Sequence, residues 1–166
     1  MILISIIKNC AKLPRKEALF QLNRVSMRDT LVYLFLLFFI TFLPNVILNI
    51  ITFEADESVL SYSQFLLQVI VSYPFLMMFL VIASISVLAF PAFIIRTFLH
   101  RKLAYQQLWK MTGFALLFPL ICYHILFYLP VSNNIAVLIS ILWLYVLMYR
   151  MIIIYPKKKS KTEKPG

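Results

Sequence analysis

The residues of this sequence best suited to bind a ligand are five uncharged polar side chains set in apolar surroundings. They carry amide, hydroxyl or imidazole groups, and they are Asn45, Asn49, Gln68, Ser72 and His124. A spacing of four residues places the members of each of the first two pairs on one helix face. Together the five could line a polar pocket for a small ligand, in which His124 donates a hydrogen bond or responds to pH. They could instead join packed helices by hydrogen bonds, and we favour that second interpretation.

Signatures of catalysis and of metal binding are missing from the sequence. It contains no His-Glu-x-x-His and no Gly-x-Ser-x-Gly motif, and its two glycines are too few for a phosphate-binding loop. Its two cysteines, Cys10 and Cys122, form neither a Cys-x-x-Cys pair nor an array with histidine. Proton-coupled transport and intramembrane acid proteolysis usually require a carboxylate inside an apolar segment. No carboxylate of this sequence lies inside one. We therefore predict that the protein is not an enzyme and uses no metal and no cofactor.

The composition is that of a protein embedded in a membrane. Hydrophobic residues make up 63% and charged residues 13% of the 166 residues, whereas charged residues make up about 25% of soluble domains. The formal net charge of +10 could indicate nucleic acid, but the Lys and Arg residues are confined to three regions that flank apolar runs. We therefore predict contact with membrane lipid and not with nucleic acid.

Four apolar segments are long enough to cross a bilayer, which takes roughly 20 helical residues. The predicted spans are residues 30–51, 74–95, 111–129 and 135–155, which form one transmembrane domain at 30–155. Pro74 favours a break or kink, so residues 65–73 either lie at the outer surface or extend the second span. The predicted fold is therefore all-α, with four transmembrane helices.

The charges that flank the spans predict their orientation. The basic residues between the first and last spans cluster in Arg96–Lys110, whereas three of the six acids, Glu54, Asp56 and Glu57, follow the first span. Lys and Arg are retained on the cytoplasmic side of a membrane, so this asymmetry predicts that both termini are cytoplasmic. The spans then form two hairpins joined by the basic segment.

Basic segments precede and follow the spans. Residues 1–29 are predicted to be a cytoplasmic or interfacial basic segment, with an amphipathic helix that starts after Pro14. Its apolar face comprises Ala18, Leu19, Leu22 and Val25, and its charged face comprises Lys16, Glu17, Arg24 and Arg28. We predict that this helix lies in the membrane interface, either as a lead-in that packs on the bundle or as a dedicated lipid-sensing device. Residues 156–166 are predicted to be a basic disordered tail.

The basic surface is the predicted site of contact with lipid or with a partner. It combines cationic side chains with aromatic ones that favour the interface, and its candidate residues are Arg101, Lys102, Tyr105, Trp109, Lys110, Lys157, Lys158 and Lys159. Lysines in such positions attract the anionic headgroups of the cytoplasmic leaflet. The central loop could dock a cytoplasmic partner, as the coupling segment of a transporter subunit docks an ATPase, or it could be a lipid-facing turn.

Two stretches of the chain resemble a known family. MRDTLVYLFLLFFITFLPNVI enters the first span and ends near Leu-Pro, and YQQLWKMTGFALLFPLI enters the third span with Ala115 and Pro119. They resemble a family of unknown function among Firmicute membrane proteins, some labelled maltodextrin-utilisation proteins, which is distantly similar to Yip-type multispan proteins. That family usually carries a larger extracytoplasmic segment where this chain has about residues 52–64. The resemblance implies a multi-pass protein of the bacterial cytoplasmic membrane with a non-catalytic role.

Two functions fit these observations. The first is a non-enzymatic adaptor or accessory subunit of a bacterial membrane complex, which acts through helix–helix contacts and basic cytoplasmic surfaces. The second is a small oligomeric transport component or transporter subunit, whose polar cluster lines a pocket or path in the outer half of the membrane. Four spans rarely enclose a path alone, so the second function needs self-association or a partner. The predicted partners are anionic lipids and either another membrane subunit or a second copy of the chain.

Overall fold

A computed structural model of the protein describes residues 2–52, 61–127 and 132–157. Within these ranges the chain forms helices and no strand. The helices are α1 (Ile2–Cys10), α2 (Lys16–Asn23), α3 (Met27–Ile51), α4 (Tyr62–Phe98), α5 (Tyr105–Ala115), α6 (Leu117–Phe127) and α7 (Asn133–Ile154). Four helical stretches are long and apolar enough to cross a membrane, namely α3, α4, α5 with α6, and α7. The prediction of an all-α chain with four such stretches is confirmed.

Local capping explains where α3 and α4 begin. The Ser26 hydroxyl accepts a hydrogen bond from the Asp29 backbone N–H at 3.0 Å, and α3 therefore begins ahead of the predicted start at residue 30. Ser61 and Gln64 form a capping box, in which the Ser61 N–H donates to the Gln64 side-chain oxygen at 3.1 Å. This box starts α4 well before Pro74.

Helix α4 is a single helix of 37 residues that contains Pro74 and Pro91. Proline leaves the carbonyl four residues earlier without its helical partner, but here that loss does not end the helix. Residues 65–73 therefore extend the second helix, and the expected break at Pro74 is absent. At 1.5 Å of rise per residue α4 is about 55 Å long, well beyond a hydrocarbon core of about 30 Å.

The third apolar stretch begins earlier than predicted and is interrupted. Helix α5 begins at Tyr105, because the Gln107 side-chain oxygen accepts a hydrogen bond from the Ala104 backbone N–H at 3.1 Å. The predicted span began at residue 111. The helix is interrupted at Leu116, and α6 follows directly. Pro119 has no backbone N–H to offer the carbonyl four residues earlier, which accounts for the interruption. The central connection is thereby reduced to residues 99–104.

The N-terminal segment packs on the bundle. Helix α2 buries Ala18, Leu19 and Leu22, as its predicted apolar face requires, and it contacts α5 and α7. These contacts agree with a lead-in that packs on the bundle. No sequence pattern predicted α1, which buries Ile6 and Cys10 and packs beside α3.

Burial divides the bundle into two halves. The basic half comprises residues 2–38, 81–116 and 144–157, and every Lys and Arg of the described ranges lies in it. Its core joins α1 and α2 to the adjacent parts of α3, α4, α5 and α7. The far half comprises residues 39–52, 61–80, 117–127 and 132–143, none of which is Lys, Arg, Asp or Glu. The buried residues of the far half are Met77, Pro119, Ala136 and Ser140.

Candidate functional site

His124 joins α6 to α3 in the far half. Its Nε2 lies 3.2 Å from the Thr41 carbonyl oxygen, and its Nδ1 lies 3.0 Å from the Leu120 carbonyl oxygen. A carbonyl oxygen can only accept a hydrogen bond, so a neutral imidazole donates to one of the two at a time. The side chain is half-buried between the helices, which is the arrangement expected for interhelical bonding.

Among the described side chains, no other member of the predicted polar cluster is hydrogen-bonded to His124. Asn45 on α3 and Gln68 and Ser72 on α4 are exposed, and the side chain of Asn49 lies outside the described residues. Apolar cavities of about 170, 210 and 330 Å³ lie among the described helices, and no member of the cluster lines them. None of these three cavities therefore serves as the predicted polar pocket.

Lys110 lies at the centre of the basic half. Its Nζ donates hydrogen bonds to the carbonyl oxygens of Asn23 at 2.8 Å and Val25 at 2.9 Å. These carbonyls lie at the end of α2, where the helix dipole favours a cation. The side chain is 9% exposed. Lys110 therefore fixes α2 to α5 and is not available to a partner.

Trp109 is also turned into the bundle. Its Nε1 donates to the Ser86 hydroxyl at 3.2 Å, and the residue is 5% exposed. Because α5 begins at Tyr105, Trp109 and Lys110 lie in a core helix and not in a surface loop. Their predicted role as contacts to a partner or to lipid is not compatible with this burial.

The remaining residues of the predicted contact surface stay near the surface of the basic half. Lys102, Tyr105 and Lys157 are exposed, and Arg101 is half-buried. The Tyr105 hydroxyl also donates to a carbonyl oxygen of α4 at 3.4 Å. Lys158 and Lys159 lie outside the described residues. The three exposed side chains are accessible to lipid or to a partner.

Cys10 and Tyr33 form a buried pair that joins α1 to α3. Burial raises the pKa of the Cys10 thiol to about 12, and the neighbouring Tyr33 hydroxyl offsets a part of this rise. Only the thiolate is reactive, so Cys10 is a core thiol of low reactivity. The one sequence signal for this pair is the helical spacing of Ile6, Cys10 and Leu13.

Arg96 is a residue that the sequence identified only as part of the central basic cluster. Its guanidinium lies over the Phe93 ring, 5.2 Å from the ring centroid, in a cation–π contact. Its Nε is buried and has no hydrogen-bond partner among the described residues. The Arg101 backbone N–H donates to the Arg96 carbonyl oxygen at 3.2 Å. The two arginines therefore belong to one turn of the chain.

Among the residues that the structure describes, no group of three or more His, Cys, Asp or Glu side chains could hold a metal ion. Comparison of the chain with protein-family models, with curated proteins and with solved structures finds no match. The fold therefore defines the protein by class, as an all-α chain with four helical stretches long and apolar enough to cross a membrane. Within that class its distinguishing features are the His124 bridge, the buried Lys110 and the Arg96–Arg101 pair.

Proposed function

We propose that the protein is a non-enzymatic adaptor or accessory subunit of a bacterial membrane complex. It acts through lateral helix–helix contacts of the far half and through the basic half at the cytoplasmic face. The observation that carries this proposal is an exposed stretch of α4, residues 66–76. None of these residues is buried, and the first buried side chain of this helix is Met77.

The exposed stretch of α4 carries a polar face. Gln68 and Ser72 lie one helical turn apart and are exposed. The hydroxyl of the adjacent Tyr73 lies 3.5 Å from the Phe39 carbonyl oxygen, at the middle of α3, so this face lies alongside an apolar span. In a bilayer, Gln and Ser side chains are typically found against other helices, with which they form hydrogen bonds. We infer that a helix of another subunit, or of a second copy, covers this face.

The basic half supports the second part of the proposal. Exposed cations such as Arg28, Lys102 and Lys157 lie on this half, and each basic residue near an anionic membrane surface contributes about 1 kcal/mol of attraction. The resemblance to a Firmicute membrane family agrees with a bacterial cytoplasmic membrane, and the distribution of Lys and Arg agrees with both termini on its cytoplasmic side. The basic half would thus orient the protein in the membrane, and the far half would bind the partner helix.

Affinity purification in a mild detergent tests the adaptor role. We expect a tagged wild-type chain to recover the same partner, or a second copy, in repeated preparations. The Gln68→Leu/Ser72→Leu variant should lose that partner and still fold, because both side chains are exposed. The matched Leu67→Ala variant should retain it, since Leu67 is exposed and lies about 100° from Gln68 and about 140° from Ser72 around the helix. Recovery of the wild-type chain alone, or equal loss from both variants, would contradict the proposal.

The alternative, a small oligomeric transport component, has weaker support. It requires the polar cluster to line a path, whereas Asn45, Gln68 and Ser72 are exposed on the surfaces of two helices. His124 is bonded between α6 and α3. A reconstituted flux that disappears in an Asn45→Leu variant would favour transport over the adaptor role.

A further inference from the structure

The largest of the three apolar cavities is an open groove in the basic half, where α3, α4 and α5 meet. It has a volume of about 330 Å³. Met27 and Leu31 of α3 form one wall, Ile82 and Ser86 of α4 form another, and the first turn of α5 forms the third. Because Met27 is the first residue of α3 and Tyr105 the first of α5, the groove lies at the end of the bundle where these two helices begin.

The lining of the groove is amphipathic. Met27, Leu31 and Ile82 supply aliphatic surface, whereas the exposed side chains of Tyr105 and Gln106 add polar groups. Tyrosine is enriched where the membrane meets water, because its ring prefers the apolar side and its hydroxyl the wet side. Such a lining suits a molecule with an apolar chain and a polar head, as a phospholipid has.

Trp109 closes the groove from within. Its Nε1 donates to the Ser86 hydroxyl at 3.2 Å, and the Tyr105 hydroxyl donates to the Ser86 carbonyl oxygen at 3.4 Å. These bonds fix α5 to α4 and thereby hold two walls of the groove in place.

Cations flank the groove. Arg28 is exposed in the first turn of α3. On the side of α5, the Phe93 ring packs edge-on against Tyr105 with 6.3 Å between the ring centroids, and the Arg96 guanidinium lies over the Phe93 ring. No carboxylate is among the described residues that line the groove, and that of Asp29 accepts a hydrogen bond from the N-cap hydroxyl of its own helix at 2.7 Å. The headgroup that suits these surroundings is therefore anionic.

We propose that the groove binds an anionic phospholipid, with one acyl chain between α3 and α4 and the headgroup beside Arg28. The aliphatic walls receive the chain, and the guanidinium attracts the phosphate, whose oxygens match its planar fork. In the orientation proposed above, this lipid belongs to the cytoplasmic leaflet. Ile82 lies about 15 Å along α4 from Ser72 in the polar face, so the lipid site goes beyond the adaptor role and either proposal can fail alone.

Fluorescence quenching by a brominated lipid tests the site. The chain has two tryptophans, so a Trp143→Phe variant of the full chain retains Trp109 alone. Bromine quenches tryptophan only at short range, and a brominated acyl chain in the groove should therefore quench Trp109. In detergent at constant ionic strength, half-maximal quenching should need about fivefold less brominated phosphatidylglycerol than brominated phosphatidylcholine, the preference that one basic residue provides. Equal quenching by the two lipids, or quenching by neither, would overturn the proposal.

Substitutions in the same background separate a built groove from diffuse positive charge. Ile82→Phe fills the groove and should abolish the quenching, whereas Val87→Phe enlarges a side chain of α4 outside the lining and should leave it unchanged. Both side chains are exposed, so both variants should fold. Arg28→Gln should weaken the binding of phosphatidylglycerol about fivefold, and Arg150→Gln, which removes an exposed charge from α7, should not. Full quenching in Ile82→Phe, or equal weakening by the two arginine substitutions, would overturn the site.

Discussion

The basic half and the far half differ in how many of their apolar side chains are buried. In the basic half, Leu108, Phe114 and Met148 are almost fully buried. In the far half, Phe75 and Phe79 of α4 are 75% and 77% exposed. Within lipid an exposed Phe costs little, because hydrocarbon surrounds it with or without a neighbouring helix. Apolar composition therefore allows a helix to enter a membrane, and close packing decides which part of the bundle has a unique arrangement.

Polar contacts follow the same division. In the basic half, Lys110 is bonded at 2.8 and 2.9 Å and Trp109 at 3.2 Å to segments distant in the chain. In the far half, His124 reaches α3 at 3.2 Å and the Tyr73 hydroxyl reaches it at 3.5 Å. The contrast teaches that the shorter polar bonds between distant segments lie in the basic half, as the proposed use of the far half as an interface requires.

The largest expected effect is on the reactivity of the Cys10 thiol, which should differ between the folded protein, with its packed basic half, and the unfolded chain. In a Cys122→Ser background at pH 8, we expect N-ethylmaleimide to label native Cys10 about 1000-fold more slowly than an ordinary thiol. The reason is that burial raises the pKa of this thiol from 9.0 to about 12. Mass spectrometry of native and SDS-unfolded samples measures the rate. Rapid labelling of the native protein would contradict a tightly packed basic half.

The same pKa shift makes the basic half sensitive to alkali. Below pH 9.0 the thiol is neutral in both states, whereas between 9.0 and about 12 only the unfolded chain loses the Cys10 proton. The free energy of unfolding should therefore fall as the pH rises through this window. A Cys10→Ser variant isolates the contribution, because all other titrating groups are retained. Parallel pH profiles of the free energy of unfolding for the two proteins would contradict a contribution from Cys10.

Truncation of two phenylalanines compares the halves directly. Phe114→Ala leaves a cavity beside Tyr33, whose ring centroid lies 5.7 Å away, and should lower the free energy of unfolding by about 3 kcal/mol. Phe79→Ala removes an exposed ring of the far half and should change it by less than about 0.5 kcal/mol. Reversible unfolding in detergent measures both values. Equal losses would abolish the distinction between the halves.

Lys110→Met should release α2 from the basic half. Two bonds from a charged donor to the carbonyls of Asn23 and Val25 are lost, and we expect a cost of about 2 kcal/mol. Limited trypsin digestion at Lys16 and the unfolding midpoint report the release. The control is Lys102→Met, which removes the same charge from an exposed side chain. If the control is digested as fast as Lys110→Met, the bonds to α2 are not what holds that helix.

His124→Leu should have the smallest effect, because it removes a single hydrogen bond between helices. The bond to the Thr41 carbonyl is lost, and a typical interhelical bond of this kind contributes about 0.6 kcal/mol. His124→Gln retains a donor and should recover a part of the stability. The unfolding midpoints of the wild type, His124→Leu and His124→Gln measure these differences in stability. Loss of the folded protein in His124→Leu would mean that the far half depends on this bridge.

The helices of this fold were predictable because their signals are local. Hydropathy over roughly 20 residues predicts the four apolar stretches, and the spacing of Ala18, Leu19 and Leu22 predicts the buried face of α2. The same local reasoning left open whether Pro74 breaks or kinks the second helix, and the structure has a helix that continues through it. In apolar surroundings each lost backbone hydrogen bond is expensive, so a helix that gives up one carbonyl partner still retains the others.

The site residues were less predictable because their contacts are distant in sequence. Lys110 and Trp109 look like interfacial residues of a basic loop, and only their bonds to Asn23, Val25 and Ser86 reveal their roles in packing. No spacing rule connects such positions. The expected convergence of the polar cluster rested on depth in the membrane alone, and depth does not determine which way a helix face points.

Site-specific photo-crosslinking in cells tests most directly whether the far half of α4 is an interface. A photoreactive residue in place of Ser72 should give an adduct with another protein or a second copy of the chain. The same residue in place of Leu67, which is exposed on the other side of the helix, should give adducts with lipid only. Lipid adducts alone at both positions, or equal protein adducts at both, would contradict the account.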